Sequence, residues 1–94
     1  MLITYDVNTE TVEGRRRLRR VARACLDYGQ RVQYSVFECE VDPAQWTTLR
    51  ARLIGEINAT SDSLRFYRLG ADGRRRVEHV GARPSQNLEE PLVF

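Results

Sequence analysis

Lysine is absent from this 94-residue chain, which contains only two cysteines and one histidine. Cys25 and Cys39 lack metal-ligand spacing, and two thiols do not make a disulfide framework. The histidine, His79, has no partner at catalytic spacing, which argues against Ser35 as a hydrolase nucleophile. No apolar run approaches the ~20 residues of a membrane-spanning helix, and no signal peptide is recognisable. The sequence therefore predicts a cytoplasmic protein with reduced cysteines and no membrane partner.

Size and composition favour one small domain. A chain of 94 residues has no room for a second core, and one this short buries only roughly 60–65% of its unfolded surface. We therefore expect a partner copy to cover its exposed apolar segments. With 41% hydrophobic and 30% charged residues, the composition is that of an ordinary globular protein. All 15 basic residues are arginine, so each can contact phosphate or carboxylate in bidentate fashion.

Hydrophobic periodicity predicts two helices. The first covers about residues 15–28, where Leu18, Val21, Ala22 and Cys25 form an apolar stripe at helical spacing. Gly29 suits the left-handed position that closes a helix. The second helix covers about residues 42–58, and its start is marked by a capping pattern. Asp42 is the cap, Pro43 follows it and Gln45 completes a capping box.

The expected strands indicate the fold class. Strands are expected at about 2–7, 31–41, 63–69 and 76–80, with a hairpin turn at 70–73. The long 31–41 segment changes its apolar face between Val36 and Phe37, so we predict that it bends into two strands, 31–36 and 37–41. The order is then that of an α+β, ferredoxin-like βαββαβ core with an added C-terminal strand. Residues 1–94 form the one domain, and residues 81–94 form a tail whose apolar end is expected to dock on its own sheet or on a second subunit.

Asp6 and a run of arginines are the candidate functional features. Asp6 ends the first apolar strand, where an unpaired buried charge would be costly. Two interpretations follow, a metal-assisted phosphodiester site or a fixed Asp6–arginine ion pair. Six arginines then fall within the nine residues 15–23. Such a run is usually a solvated helix face, but repulsion among like charges favours binding of a polyanion such as a nucleic-acid backbone.

The chain resembles a known family at several strings. Leu2-Ile3-Thr4-Tyr5-Asp6-Val7, the arginine helix and Arg31-Val32-Gln33-Tyr34-Ser35-Val36-Phe37-Glu38 together are similar to the CRISPR-associated protein Cas-two family. The segments 64–70 and 91–94 fit the same family, so the resemblance covers essentially the whole chain. It implies a ferredoxin-like protomer, a two-fold homodimer with exchanged terminal strands, and a role in acquiring CRISPR spacers. It also implies metal-dependent endonuclease activity and a position between two dimers of the Cas-one integrase.

The resemblance assigns roles to individual residues. Asp6 matches the family's metal-binding aspartate, so it is the candidate catalytic residue and Mg²⁺ ligand, contributed by both subunits across the two-fold axis. Tyr5 and Phe37 are candidate substrate contacts, although Phe37 also suits a core position. The alternatives are a non-catalytic scaffold that binds duplex DNA and the Cas-one integrase, and a toxin-like ribonuclease that cleaves single-stranded RNA. The candidate nucleic-acid-binding residues are Arg15, Arg16, Arg19, Arg20, Arg23 and Arg31.

Overall fold

The computed structural model describes residues 1–69 and 75–82. In this part of the chain, seven elements follow one another, and the five strands form one antiparallel sheet. The elements are β1 (Leu2–Asp6), α1 (Val12–Leu26), β2 (Gly29–Gln33), β3 (Val36–Cys39), α2 (Pro43–Glu56), β4 (Ser63–Leu69) and β5 (Arg75–Gly81).

The sheet order confirms the predicted fold class. The strands lie in the order β2-β3-β1-β4-β5, with β1 at the centre. Ile3 of β1 is opposite Phe37 of β3 on one side and Phe66 of β4 on the other. The first four strands with the two helices give the βαββαβ ferredoxin-like core, and β5 is the added strand beyond β4. The predicted turn at 70–73 and the tail from residue 83 onward lie outside the described residues.

The division of the 31–41 segment is confirmed, but its predicted position is wrong. A turn at Tyr34 and Ser35 separates β2 from β3, so the break precedes the predicted Val36–Phe37 junction. The pairing register shifts between Arg31 and Gln33. Such an irregularity inserts an extra residue and reverses the alternation of faces. This irregularity lies on β2, whereas Val36 and Phe37 alternate regularly along β3, so no break occurs between those two residues.

The two ends of α1 differ from the prediction. The helix begins at Val12 because Thr11 caps it, its Oγ1 accepting a hydrogen bond of 3.0 Å from the Gly14 amide. The left-handed closure at Gly29 is wrong, because the helix ends at Leu26 and Gly29 opens β2. Glycine is required there for a different reason. A Cβ at that position would lie 2.1 Å from the Glu38 carbonyl oxygen of the neighbouring strand.

The predicted start of α2 is confirmed in detail. Asp42 Oδ1 accepts a hydrogen bond of 2.7 Å from the Gln45 amide, and Gln45 Oε1 accepts one of 2.9 Å from the Asp42 amide. This capping box satisfies two amides that would otherwise lack partners at the helix start. Pro43 occupies the first turn, where its missing N–H has no cost.

Both helices pack on the same face of the sheet. The Cys39 thiol donates to the Cys25 carbonyl of α1, and Trp46 of α2 meets Phe66 edge-to-face at 4.7 Å. Alternation along the strands sends Ile3 and Tyr5 to this face as well, where they are buried. No described element covers the opposite face. Its residues are Leu2, Thr4, Asp6, Val36, Glu38, Arg65, Tyr67, Val77 and His79.

Asp62, just before β4, is the one fully buried charged side chain among the described residues. It receives a hydrogen bond of 2.7 Å from Arg17 Nε on α1. The backbone amides of Asn8 and Asn58 donate to the same carboxylate at 3.0 and 2.8 Å. Burial alone would raise the pKa of the Asp62 carboxyl, but these donors outweigh burial and hold that pKa below its ordinary value. The carboxylate therefore joins the β1–α1 loop, α1 and the α2–β4 loop.

We predict that Asp62→Asn lowers the free energy of unfolding at neutral pH by about 3 kcal/mol, because it leaves Arg17 beside a neutral group. The Asp62 pKa is lower folded than unfolded, so its contribution is present above the unfolded value of 3.8 and is lost as pH falls through the folded value. The measurement is chemical denaturation from neutral to acidic pH. The Asp62→Asn variant should lack this part of the pH dependence.

The matched control is Asp27→Asn, which breaks the exposed Asp27–Arg52 ion pair. An exposed pair contributes about 0–1 kcal/mol, so this variant should unfold nearly as the wild type does. Equal losses in the two variants would contradict the special role of Asp62.

Candidate functional site

Asp6 lies at the end of β1 on the open face of the sheet, and its side chain is exposed. This corrects the expectation that Asp6 is a buried charge. Tyr5 and Val7 on either side of it point toward the helices, so alternation turns Asp6 the other way. No described residue forms a hydrogen bond or ion pair with its carboxylate, so the Asp6–arginine pair is not found in this part of the chain. Within residues 1–69 and 75–82, the Asp6 carboxylate is therefore without a partner.

A groove of about 390 Å³ lies beside the end of β1, and Asp6 is one of its lining residues. Its walls are α1 and the turn between β2 and β3. Arg19 of the helix and Arg31 of β2 both line this groove, so two cationic residues and one acidic residue border the same cavity. This combination suits a phosphodiester, whose charge the arginines can bind while the acid stays available for a cation or a proton. The remaining lining residues are Tyr5, Val7, Leu18, Ala22, Tyr34 and Ser35.

Tyr5 and Phe37 form the floor beneath this groove. Their rings stack at 6.0 Å, and the Arg31 guanidinium lies 5.0 Å above the centre of the Phe37 ring. Phe37 is fully buried, so the interpretation of it as a substrate contact is corrected to that of a core residue that supports Arg31. Burial raises the pKa of the Tyr5 phenol, and a hydrogen bond from Arg31 offsets part of this effect. Tyr5 is therefore a neutral donor at physiological pH.

The arginines of α1 divide into two groups. Arg17 turns inward to Asp62, and Arg15 donates to the Thr9 carbonyl at 3.1 Å. The others are exposed and line a second groove of about 420 Å³ that also includes Arg52 and Glu56 of α2. Arg19 lines both grooves, so the cationic surface is continuous from the Asp6 groove to α2. The exposed arginines of this second groove on α1 are Arg16, Arg19, Arg20 and Arg23.

Sequence reasoning missed several contributors to this region. Arg17 was not among the candidate nucleic-acid-binding residues, but its ion pair with Asp62 was not predicted, although Arg17 lies four residues before the buried Val21 and so borders the inner face of α1. Arg52 belongs to the arginine groove because α2 packs beside α1, a tertiary relation that no local pattern reveals. Tyr34 lies in a turn, whereas the sequence predicted a strand over residues 31–36.

The metal-ligating capacity of one protomer is small. Residues 1–69 and 75–82 contain no group of three or more His, Cys, Asp or Glu side chains that could hold a metal ion. Asp6 supplies one exposed carboxylate. Mg²⁺ accepts such a site because it keeps several waters and often binds only one or two carboxylates. Asp6 therefore fits as one ligand of a site completed elsewhere.

Neither of the two described helices is long and apolar enough to cross a membrane.

Comparisons with known proteins agree on one family. A family model described as "CRISPR associated protein Cas2" matches residues 1–77. A protein of Nitratidesulfovibrio vulgaris named "CRISPR-associated endoribonuclease Cas2" is 61% identical over 94 residues, which are 100% of this chain and 92% of the relative. One of Halalkalibacterium halodurans, named "CRISPR-associated endonuclease Cas2", is 56% identical over 94 residues, 100% of this chain and 98% of the relative. The crystal structure of Streptococcus pyogenes Cas2 at pH 6.5 superimposes with a TM-score of 0.68 and 61% identity, covering 73% of this chain and 83% of that one.

We predict that alkaline pH destabilises the wild type more than Tyr5→Phe. The folded-state pKa of Tyr5 is raised above its ordinary value of 10.0, so the unfolded chain loses the phenolic proton first. Its contribution to stability is thus present below pH ~10 and falls as pH rises toward the folded pKa. The measurement is the difference in unfolding free energy between the two proteins from neutral to alkaline pH. Both proteins contain Cys25 and Cys39, so the difference removes the thiol ionisation that is independent of Tyr5 and keeps only the effect of the Cys25 charge on Tyr5. A constant difference would contradict the raised pKa of Tyr5.

Proposed function

Because the chain belongs to the Cas2 family of CRISPR-associated proteins, we propose that it is an endonuclease of CRISPR adaptation. Its substrate would be a phosphodiester bond of single-stranded RNA or of duplex DNA. Relatives that match the whole chain are named endoribonuclease in one case and endonuclease in another. The observation that supports this function best is the exposed Asp6, whose carboxylate has no partner among the described residues and which lines a groove together with Arg19 and Arg31.

The proposed cofactor is Mg²⁺, with Asp6 as its protein ligand. When bound, the cation would activate water and stabilise negative charge on the scissile phosphate. Arg19 and Arg31 would hold the phosphate in the groove, and Arg31 is fixed in position by its contact with the Phe37 ring. The neutral Tyr5 phenol, which is buried and donates to the Tyr34 carbonyl, would support the groove from beneath.

The proposed assembly is a two-fold homodimer. One protomer offers one carboxylate, and a two-fold axis near Asp6 would present two. The open face of the sheet, which includes the half-buried Leu2 and Val36 and the exposed Val77, is a surface that a second copy would cover. A chain this small leaves much apolar area for such a contact. The active unit would then be the dimer.

The proposed binding surface is the arginine face of α1 together with Arg31. These arginines would bind the nucleic-acid backbone without reading its sequence, because phosphate contacts carry no base information. The groove between α1 and α2 extends this surface beyond the Asp6 groove. A strand bound at Asp6 could therefore continue along the helix pair.

A second candidate function is a non-catalytic scaffold that holds duplex DNA beside the Cas-one integrase. The observation that favours it is the scarcity of metal ligands, since the described residues of one protomer contain no cluster of three or more His, Cys, Asp or Glu side chains that could hold a metal ion. In that case, the arginine surface would be the functional one and the Asp6 groove would add little. The two functions differ in what Asp6 must do, and one substitution separates them.

Asp6→Asn tests the catalytic function. The substitution keeps shape and hydrogen bonding but removes the charge that holds the cation, so Mg²⁺-dependent cleavage should fall by at least about 100-fold. Because Asp6 has no described ion pair, the melting temperature should stay near that of the wild type. The control is Asp42→Asn, an exposed acid at the α2 cap, where asparagine also caps well. Cleavage that survives in the Asp6 variant would contradict Asp6 as the catalytic ligand and leave the activity to other residues or to a contaminant. No cleavage by the wild type would leave the scaffold as the function.

Mixed dimers test whether both copies of Asp6 serve one site. We expect that adding Asp6→Asn protein to wild type, with time for subunit exchange, reduces cleavage as the square of the wild-type fraction. Independent sites would instead give a linear decrease. A linear result would contradict a metal shared across the two-fold axis.

Replacing Arg16, Arg19 and Arg20 with alanine tests the binding surface. Each lost phosphate contact should reduce the slope of log affinity against log salt by about 0.9 for a duplex, so the triple variant should lose roughly two to three units. The matched control removes Arg68, Arg75 and Arg76, three exposed arginines of β4 and β5. Equal effects would mean that overall charge, and not this helix, governs binding.

A further inference from the structure

Tyr34 lies in the turn between β2 and β3 and has the most exposed large apolar side chain identified among the described residues. It is 94% exposed, whereas the other exposed large apolar side chains range from 49% to 55%. An isolated exposed ring is not unusual by itself. Its position is informative, because it lies at the rim of the groove that contains Asp6.

The backbone beneath the ring is fixed to β1. The Tyr5 amide donates to the Ser35 carbonyl at 3.1 Å, and the Tyr5 hydroxyl reaches the Tyr34 carbonyl at 3.5 Å. Tyr5 directly precedes Asp6, so the turn and the carboxylate are both anchored to the same residue. The base of the Tyr34 side chain therefore has a defined position relative to Asp6.

The chemistry around the ring selects one kind of ligand. Arg19 and Arg31 line the same groove and supply positive charge for a backbone phosphate. Single-stranded nucleic acids are bound by this combination, a cationic groove that follows the backbone and an aromatic ring on which a base stacks. A tyrosine ring presents two faces for stacking and loses little conformational entropy when it binds.

We infer that Tyr34 is a stacking platform for an unpaired nucleobase of the strand bound in the Asp6 groove. The inference rests on the proposed function for the identity of that groove as a phosphodiester site. A base inside a duplex is already stacked on its neighbours and would have to be extruded to reach the ring. Tyr34 therefore gives the groove a preference for single-stranded RNA, single-stranded DNA or an unpaired end over a blunt duplex.

The experiment measures stacking without cleavage. The probe is an oligonucleotide that contains 2-aminopurine, whose fluorescence is quenched when it stacks on an aromatic ring. It is titrated with Asp6→Asn protein in a chelator, so neither metal nor turnover contributes. Tyr34→Ala should weaken binding of single-stranded RNA and DNA by about 5- to 150-fold, the equivalent of ~1–3 kcal/mol for one stacked base, and should abolish the quenching.

Two matched variants define the interaction. Tyr34→Phe keeps the ring and should bind within about twofold of the parent. Val32→Ala removes an exposed apolar side chain of β2 that does not line the groove, and it should change nothing. A blunt duplex should lose less than twofold in affinity on Tyr34→Ala.

Three results would overturn the inference. Quenching could persist in Tyr34→Ala, or the duplex could lose as much affinity as the single strands. The substitution could also dissociate the dimer in sedimentation, which would place the ring against a partner copy. Cleavage by the wild-type dimer and its loss in Asp6→Asn are measured separately, so none of these results on the Tyr34 variant decides the proposed function. Conversely, normal stacking with no cleavage by wild type would overturn the proposed function alone.

Discussion

The buried carboxylate of Asp62 is the interaction on which the arrangement of the site depends. An isolated charge in this position would be very unfavourable, so the fold must supply donors from three separate segments. Arg17 supplies them from α1, and the amides of Asn8 and Asn58 from two loops. Asn8 is two residues beyond Asp6, and Arg17 is two residues before Arg19. The same ion pair that completes the core therefore fixes both the acid and the cationic helix of the candidate site.

Local chemistry determined the parts of the fold that sequence could predict. The capping box at Asp42 and Gln45 involves neighbours along the chain, so its pattern identified the start of α2 reliably. The role of Gly29 was misassigned because two different structural constraints both favour glycine. A left-handed helix end and a close strand approach both exclude a Cβ, and only the tertiary structure distinguishes them.

The candidate site was predictable in its residues but not in their environment. The role of Asp6 as a metal ligand stays a prediction, and its burial was misjudged because a strand end exposes one face and buries the other. Asp62 has the environment that was expected of Asp6, and no pattern marks it. The contribution of Asp62 to stability depends on its ion pair with Arg17, which lies 45 residues earlier in the chain. Contacts of that range are set by packing, which periodicity does not report.

The inward turn of Arg17 has a consequence for protein engineering. The run between residues 15 and 23 looks like a uniform cationic block, and wholesale neutralisation would be the obvious way to make a binding-deficient form. Such a protein would lose its main buried ion pair together with its ligand surface, and the two defects would be indistinguishable in a functional screen. Substitutions that remove charge must therefore spare Arg17, because it pairs with the buried Asp62. The exposed arginines of the same helix can be replaced without breaking that ion pair.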